Sequence, residues 1–253
     1  MIKDMSELSE SALTSFSKFR VTSADTDMFA RLRPGAAVNY LIQAAIDSAD
    51  KLGLGYGGIR HQNLFWVLSR LTFELHRPVK WYEPVEVETW PKTVERILYL
   101  RDFILRDSNG KVVAKATSGW LAVDLETRRM KKIEGIHASF FDHLKDKYAI
   151  PDLPEKLFPV EGGDEHEVSP SYFDFDLNGH VTTTRYVDWM MDTLTNDFHK
   201  DNYPRKLSLN LMKETMPEET IFLMKKPDAG RIFRFEGVNS NSAVTVFRAT
   251  VEF

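Results

Sequence analysis

Apolar residues change period twice along this chain, and the changes mark its elements. Val38, Leu41, Ile42, Ala45 and Ala49 keep helical spacing behind Pro34, a residue suited to a first helical turn. A short strand is expected before them, at residues 19–26. Four runs rich in Val, Thr and aromatic residues follow, at 65–76, 85–94, 98–107 and 112–124, and read as strands. Asn109-Gly110 between the last two is a strong hairpin signal. Residues 133–163, with Pro151, Pro154 and Pro159 around a short helical piece, read as a linker. Helical spacing then returns at Val187, Met190, Met191, Leu194 and Phe198.

The second helix repeats the first. A shift of 149 residues lays Val38, Leu41, Ile42, Ala45 and Ala49 on Val187, Met190, Met191, Leu194 and Phe198. The same shift lays Asp25-x-Asp27-x-Phe29-x-Arg31 on Asp174-x-Asp176-x-Asn178-x-His180. Farther on the shift is 133, carrying Pro84 to Pro217 and Lys115-Ala116-Thr117 to Arg248-Ala249-Thr250. The 16-residue difference coincides with a glycine-rich segment, 53–63, in the first half. A helix followed by an antiparallel meander, given twice, is an internal duplication. Each helix is apolar enough to lie buried against a curled sheet, so one chain forms the pseudo-twofold pair that homodimers make from two.

The polar pattern is not duplicated with it. Asp176, Asn178 and His180 alternate with Leu177 and Gly179, so an extended backbone turns all three to one face just ahead of the second helix. An acid, an amide and an imidazole would meet near a helix N-terminus, whose free N–H groups favour developing negative charge. The residues alone leave two readings open. One is a hydrolytic constellation; the other is a polar strand-to-helix turn with an Asn in a special backbone conformation. The first half has Phe29 and Arg31 at the matching places, which puts the chemistry in one half and leaves the other to shape a pocket.

Composition narrows the chemistry. Over 253 residues the chain is 43% hydrophobic, 12% aromatic and 28% charged, a globular profile with core enough for one large or two medium domains. The net charge of −4 offers no overall basic field for nucleic acid or an anionic membrane. Without cysteine, disulfides, thiolate zinc sites and a cysteine nucleophile are excluded. No apolar run reaches membrane-spanning length, and Asp4, Glu7 and Glu10 interrupt any signal-like start, so a cytoplasmic protein is expected. Gly53, Gly55 and Gly58 fit G-x-G-x-x-G, but they follow a helix where a dinucleotide site needs a strand. No G-x-S-x-G elbow supports a serine hydrolase of the α/β type. Asp164-Glu165-His166-Glu167 could ligate a metal, but it has no partner cluster and reads as a solvated loop in a linker. His61, His76, His137, His143 and His199 lack a spacing partner and read as structural or surface residues.

Several separated motifs, running in order from about Phe19 to the C-terminus, carry a resemblance. The second half has Asp176-Leu-Asn178-Gly-His180-Val181-Thr-Thr-Thr-Arg-Tyr186 and Leu211-Met-Lys213-Glu214-Thr215. The first has Asn63-Leu-Phe-Trp66-Val67-Leu-Ser-Arg70, Trp81, Val85-Glu-Val-Glu-Thr89-Trp90 and Thr127-Arg128-Arg129. Together they resemble the acyl-acyl-carrier-protein thioesterases of plant plastids and bacteria. The resemblance implies an α+β, double (tandem) hotdog fold: an N-terminal hotdog at 1–150 with the acyl-chain pocket, and a C-terminal hotdog at 160–253 with the catalytic residues. It implies hydrolysis of acyl-carrier-protein thioesters to free fatty acid and carrier thiol in fatty acid biosynthesis, with no cofactor or metal. Asp176, Asn178, His180 and Glu214 are the implied catalytic residues. Two departures stand out. The family's paired asparagines after His-Val are Thr182 and Thr183 here, which bears on how the helix start is capped. The family's cysteine after Glu214 is Thr215, so a scheme needing a thiol nucleophile fails. With no plastid transit peptide, a bacterial, cytoplasmic member is the expectation.

An imidazole titrates near neutral pH, so His180 suits a general base. Glu214 would orient it or activate water, and Asn178 would donate to the thioester oxygen. Asp176 would either position Asn178 and water or attack directly. Four of the five tryptophans, Trp66, Trp81, Trp90 and Trp120, lie in the first half near Phe65 and Phe73, as core or as the lining of an acyl tunnel. Trp66, Gly55 and Gly57 are the expected substrate-binding positions. Acyl carrier proteins are acidic and so is this chain, so docking needs a local basic patch. Arg128, Arg129, Lys131 and Lys132 supply one, Arg106 and Lys111 a weaker one; a solvated strand end is the plain alternative. The expected partners are that carrier and its fatty acyl thioester, with a homodimer left open and neither nucleic acid nor membrane involved. Rival functions are an acyl-CoA thioesterase, a hotdog hydratase or dehydratase on 3-hydroxyacyl thioesters, and a non-catalytic acyl-binding module.

Overall fold

The structure, a computed structural model, describes residues 9–144 and 146–253. Asp4 and Glu7, weighed above as arguments against a leader, lie outside the described residues, as does the side chain of His143. A short helix α1 (Glu10–Leu13) leads into strand β1 (Ser15–Arg20). The expected strand at 19–26 therefore sits earlier. At Thr22 the chain turns, because its hydroxyl and amide bind the Asp25 carboxylate and close a 3-10 turn over Ser23–Asp25. Helix α2 (Pro34–Lys51) begins at its proline and buries Val38, Leu41, Ala45 and Ser48, and α3 (Tyr56–Ile59) forms within the glycine-rich segment. The four expected strands follow to within a residue: β2 (Leu64–Leu75), β3 (Pro84–Glu95), β4 (Leu98–Asp107) and β5 (Val112–Asp124). A two-residue strand, β6 (Met130–Lys131), returns along β5.

The second half opens with β7 (Asp164–Val168), so Asp164-Glu165-His166-Glu167 is an edge strand hydrogen-bonded to a later strand and not the loop expected. Helix α4 (Thr183–Asp192) is shorter than its periodicity predicts. The Thr195 hydroxyl accepts the Phe198 N–H and starts a separate helix, α5 (Asn196–Asp201), which takes Phe198 with it. Strands β8 (Lys206–Leu211), β9 (Ile221–Pro227), β10 (Ile232–Asn239) and β11 (Thr245–Glu252) complete the half. Among the described residues no helix is long and apolar enough to cross a membrane.

All the strands belong to one antiparallel sheet, ordered β1-β3-β4-β5-β2-β8-β11-β10-β9-β7 with β6 on β5. The order reads the same from either end once each strand is exchanged for its repeat partner. At the centre Thr72 faces Ser208, flanked by Arg70 opposite Asn210 and Glu74 opposite Lys206. Thr117 pairs with Thr72 as Thr250 pairs with Ser208, so the pseudo-twofold axis passes between Thr72 and Ser208. Helices α2 and α4 lie together on one face. Val38, Leu41, Val187 and Met190 share one apolar cluster with Phe73, Phe103, Phe235 and Phe247 of the sheet. The architecture is the tandem hotdog that the resemblance implied.

Residues 133–163 are a strap and not a loose linker. Side chains alternate across a strand, so Thr72, Asp102, Asn210 and Glu236 point away from the helices. They accept the backbone N–H groups of Glu155 (3.0 Å), Ala149 (2.8 Å), Leu157 (2.9 Å) and Val160 (2.7 Å) respectively. Burial pushes the Asp102 carboxyl up, against the opposing pull of Lys92. The strap thereby crosses both halves on the outer face of the sheet.

The two helices come close together at Gly35. A Cβ there would lie 2.4 Å from Asp188 Oδ1 and 2.9 Å from the Thr184 carbonyl oxygen. Gly35→Ala should cost about 1–3 kcal/mol of stability through overpacking. That exceeds the roughly 1 kcal/mol an alanine gains over glycine inside a helix. Gly57→Ala is the control, since no atom lies within 4 Å of its Cβ position. Urea unfolding midpoints check both; an unchanged midpoint for Gly35→Ala would show that the helices have room to part.

Candidate active site

The two halves build the same loop, and only one of them carries chemistry-bearing side chains. Ser171 binds the Asp174 carboxylate through its hydroxyl and amide, as Thr22 binds Asp25. Asp176 Oδ1 then accepts the backbone N–H groups of Asn178 (2.8 Å) and His180 (3.2 Å). Asp27 Oδ1 accepts those of Phe29 and Arg31 in the same way, each at 2.9 Å. Gly179 and Ala30, at matching positions, both turn left-handed, with φ of 76° and 57°. The duplicated Asp-x-Asp spacing therefore encodes a braced turn ahead of each helix.

In the first half this turn mounts Arg31. Its guanidinium donates to Asp27 and to the carbonyls of His199 and Asn202 in and after α5, locking the halves together. In the second half the same position holds His180, which is only 8% exposed. Its Nε2 lies 3.2 Å from Glu214 Oε2. The two are in contact but outside hydrogen-bond geometry, and Nε2 has no hydrogen-bond partner. Glu214 is brought there because the Val181 N–H donates to the Thr215 carbonyl at 3.1 Å, tying the end of β8 to the loop. Asn178 is exposed, its Nδ2 3.5 Å from Asp176 Oδ2.

The two departures from the resemblance have structural places. Thr215 is fully buried and its Oγ1 meets the Tyr186 hydroxyl at 2.9 Å, a brace between strand end and helix. Burial pushes that tyrosine hydroxyl up to about 12. Thr182 is the N-cap of α4 and makes no side-chain cap bond, so the first N–H groups of the helix stay open toward the loop.

The basic run meets the acid. Arg128 Nη1 lies 3.7 Å from Glu214 Oε2. Lys131 is bound to Asp124, whose carboxyl this contact and Thr127 hold well below the usual range. Arg129 and Lys132 are exposed and, among the described residues, make no ion pair. Arg106 is held by Glu88 at 3.4 Å. The patch expected from sequence thus divides into two paired and two free cations. Nothing in the spacing of Arg128 and Glu214 could have linked them, because they belong to different halves.

An apolar cavity of about 90 Å³ lies beside α2, lined by Ala45, Ala49, Leu54, Trp66, Tyr99 and Trp120 among others. Trp66 is pinned there by its Nε1–H donating to the Leu54 carbonyl at 2.7 Å. Arg101 reaches the same cavity and donates to Ser48 and Thr89; burial pulls its guanidinium down to about 10. Gly55 and Gly57 do not line it. Gly55 caps α3 and leaves space that Asp50 occupies, and Gly57 is exposed. Trp90 is buried core, and Trp81 is half-exposed. A larger cleft of about 290 Å³, on the outer face near Lys206, Ser208 and Arg234, holds none of these site residues. Among the described residues, no group of three or more His, Asp or Glu is placed to hold a metal.

Known proteins match this arrangement along its length. Residues 13–138 match the family model of the acyl-ACP thioesterase N-terminal domain, and residues 159–248 that of the C-terminal domain. The chain is 26% identical over 241 residues to the chloroplastic oleoyl-acyl carrier protein thioesterase 1 of Arabidopsis thaliana, covering 86% of this chain and 65% of that protein's length. An acyl-ACP thioesterase structure from Bacteroides thetaiotaomicron superposes with a TM-score of 0.87 at 26% identity, over 96% of this chain and 99% of that one. The 12:0-ACP thioesterase from Umbellularia californica shares the fold, with a TM-score of 0.77 at 21% identity over 95% and 96% of the two chains. With both halves matched in order, the chain belongs to the acyl-ACP thioesterase family.

Proposed function

We propose that this protein hydrolyses acyl-acyl-carrier-protein thioesters to free fatty acid and carrier thiol, with His180 and Glu214 activating the water. The observation that carries the roles is the buried His180 Nε2, without a hydrogen-bond partner and 3.2 Å from the Glu214 carboxylate. Water gives a proton to His180 as its oxygen attacks the thioester carbon. The carbonyl becomes an oxyanion, for which Asn178 Nδ2 and the open N–H groups at the start of α4 are the donors. Collapse of the tetrahedral intermediate breaks the C–S bond, and the proton held by His180 passes to the leaving sulfur. Glu214 offsets the charge of the imidazolium between these steps. Asp176 spends Oδ1 on the Asn178 and His180 N–H groups, as Asp27 does in the half without this chemistry. Its role is to hold the loop.

His180→Ala should lower turnover on the order of 10²–10⁴-fold, the range of a general acid–base. Glu214→Gln and Asn178→Ala should each cost about 10²–10³-fold. Asp176→Asn keeps an oxygen acceptor for both N–H groups and should cost far less than Asp176→Ala. In water enriched in heavy oxygen, repeated turnover should leave Asp176 unlabelled. Label in its carboxylate would instead establish a covalent acyl anhydride and make Asp176 the nucleophile.

The cavity beside α2 is the proposed end of the acyl site. Ala49→Leu fills part of it and should shift preference toward shorter chains, at about 0.8 kcal/mol for each methylene excluded. Thiol release across a panel of chain lengths, on carrier protein and coenzyme A side by side, measures the shift. A uniform loss at every length would remove the cavity from chain selection.

Arg129 and Lys132 are the proposed contacts for the acidic carrier. Reversing both to Glu should raise KM for the carrier-bound substrate, most at low ionic strength, because surface charges act mainly on association and are screened by salt. Equal changes with a carrier-free thioester would assign these residues to the fold or the pocket.

A further inference from the structure

We propose that Arg128, from the first half, is a positioning residue for the reaction, holding the Glu214 carboxylate against His180. The inference rests on the reading of His180 and Glu214 given above, and it makes the site a joint product of both halves.

The geometry that carries it is a shared oxygen. Glu214 Oε2 lies 3.2 Å from His180 Nε2 and 3.7 Å from Arg128 Nη1, so one carboxylate oxygen sits between two nitrogen groups from opposite halves. Glu214 stands just past the end of β8 and its side chain is 33% exposed. A carboxylate so placed has rotamers that lead into water, and a fixed cation at its outer side removes them. Lys213, next in the chain, is exposed and makes no ion pair with it. Among the described residues, Tyr186 lies near both Glu214 and Glu219, and neither Tyr186 nor Glu219 is a cation. Arg128 is therefore the cation that meets Glu214 among the described residues.

The turn that delivers Arg128 is built for that direction. Arg128 has φ of 56°, a left-handed conformation that a non-glycine residue adopts rarely and persists in only where its surroundings enforce it. Asp124 does the enforcing. Its Oδ1 accepts from the N–H groups of Glu126 and Thr127 and from the Thr127 hydroxyl, and its carbonyl accepts the Arg128 N–H. The Asp124 N–H in turn donates to the Arg129 carbonyl. Beyond the turn the Arg128 guanidinium lies 5.3 Å over the ring of Phe65, a second hold on its orientation. The turn and the ring together hold the guanidinium on the Glu214 side.

The test is steady-state kinetics of Arg128→Gln and Arg128→Lys on two substrates, an acyl-N-acetylcysteamine thioester and the same acyl group on carrier protein. Arg128 has a 52% exposed side chain, and thermal melts of both variants check that they fold. We expect Arg128→Gln to lower kcat on both substrates by about 3–30-fold, the range of coupling between neighbours in one charge network. Arg128→Lys should recover much of the loss. In a Glu214→Gln background the same Arg128→Gln change should cost less than about twofold, since the carboxylate it acts through is gone. Unchanged kcat on the carrier-free substrate with a raised KM for the carrier-bound one would overturn the proposal and leave Arg128 as a docking residue. An equal loss in both backgrounds would overturn it too. His180→Ala separates the two readings. If that variant keeps near-normal turnover, the site assignment fails and this inference with it. If it is inactive while Arg128→Gln is normal on the carrier-free substrate, this inference alone fails.

Discussion

Antiparallel pairing of β2 with β8 is the contact on which the rest of this structure depends. It joins two half-sheets into one, and its register, with Thr72 opposite Ser208, fixes where every repeated element lies relative to its copy. Each half alone would expose an open strand edge and one bare side of a buried helix, both of which favour association with other chains. Joined, the edges pair, and α2 and α4 cover each other closely enough that a Cβ at position 35 would displace its neighbours. The same register brings the turn after β5 up to the end of β8, which is why Arg128 and Glu214 meet at all.

The strap depends on the same junction. Its anchors, Asp102, Thr72, Asn210 and Glu236, are spread across strands of both halves, and Thr72 lies at the axis itself. Buried carboxylate, hydroxyl and amide oxygens are costly to leave unpaired, and so are the N–H groups of an irregular segment crossing a sheet face. Each satisfies the other. The prolines of the strap, which have no N–H to place, stand at other positions along it.

Duplication supplies a comparison inside one molecule. The braced turn is present twice with matching hydrogen bonds, once under Arg31 and once under His180. In the first half the mounted side chain reaches carbonyls at α5 and acts as a lock between halves. In the second it faces a carboxylate without hydrogen-bonding to it. The backbone frame is therefore the same for either use, and the side chain on it decides between structure and chemistry. Nor is the division between the halves complete, since the first half reaches the Glu214 carboxylate through Arg128.

By itself the sequence determined the two helix starts, the four strands of the first half and the duplication, because each is written in local period and spacing. The alternation of Asp176, Asn178 and His180 suggested an extended run, but the segment is a tight turn in which the Asp176 N–H donates to the His180 carbonyl and Gly179 is left-handed. Glu214 was reachable by its motif. Tertiary structure decided what local pattern cannot encode. Helical spacing ran through Phe198, but a competing cap at Thr195 split the helix. Prolines at 151, 154 and 159 suggested a slack linker, but acceptors from distant strands made it a strap. Four clustered cations looked alike along the chain, and only their partners separate them: Glu214 for Arg128, Asp124 for Lys131, and solvent for Arg129 and Lys132. Charge is a property of a residue, but its pairing is a property of the space around it, and that space is set by the register of two strands more than a hundred residues apart in the chain.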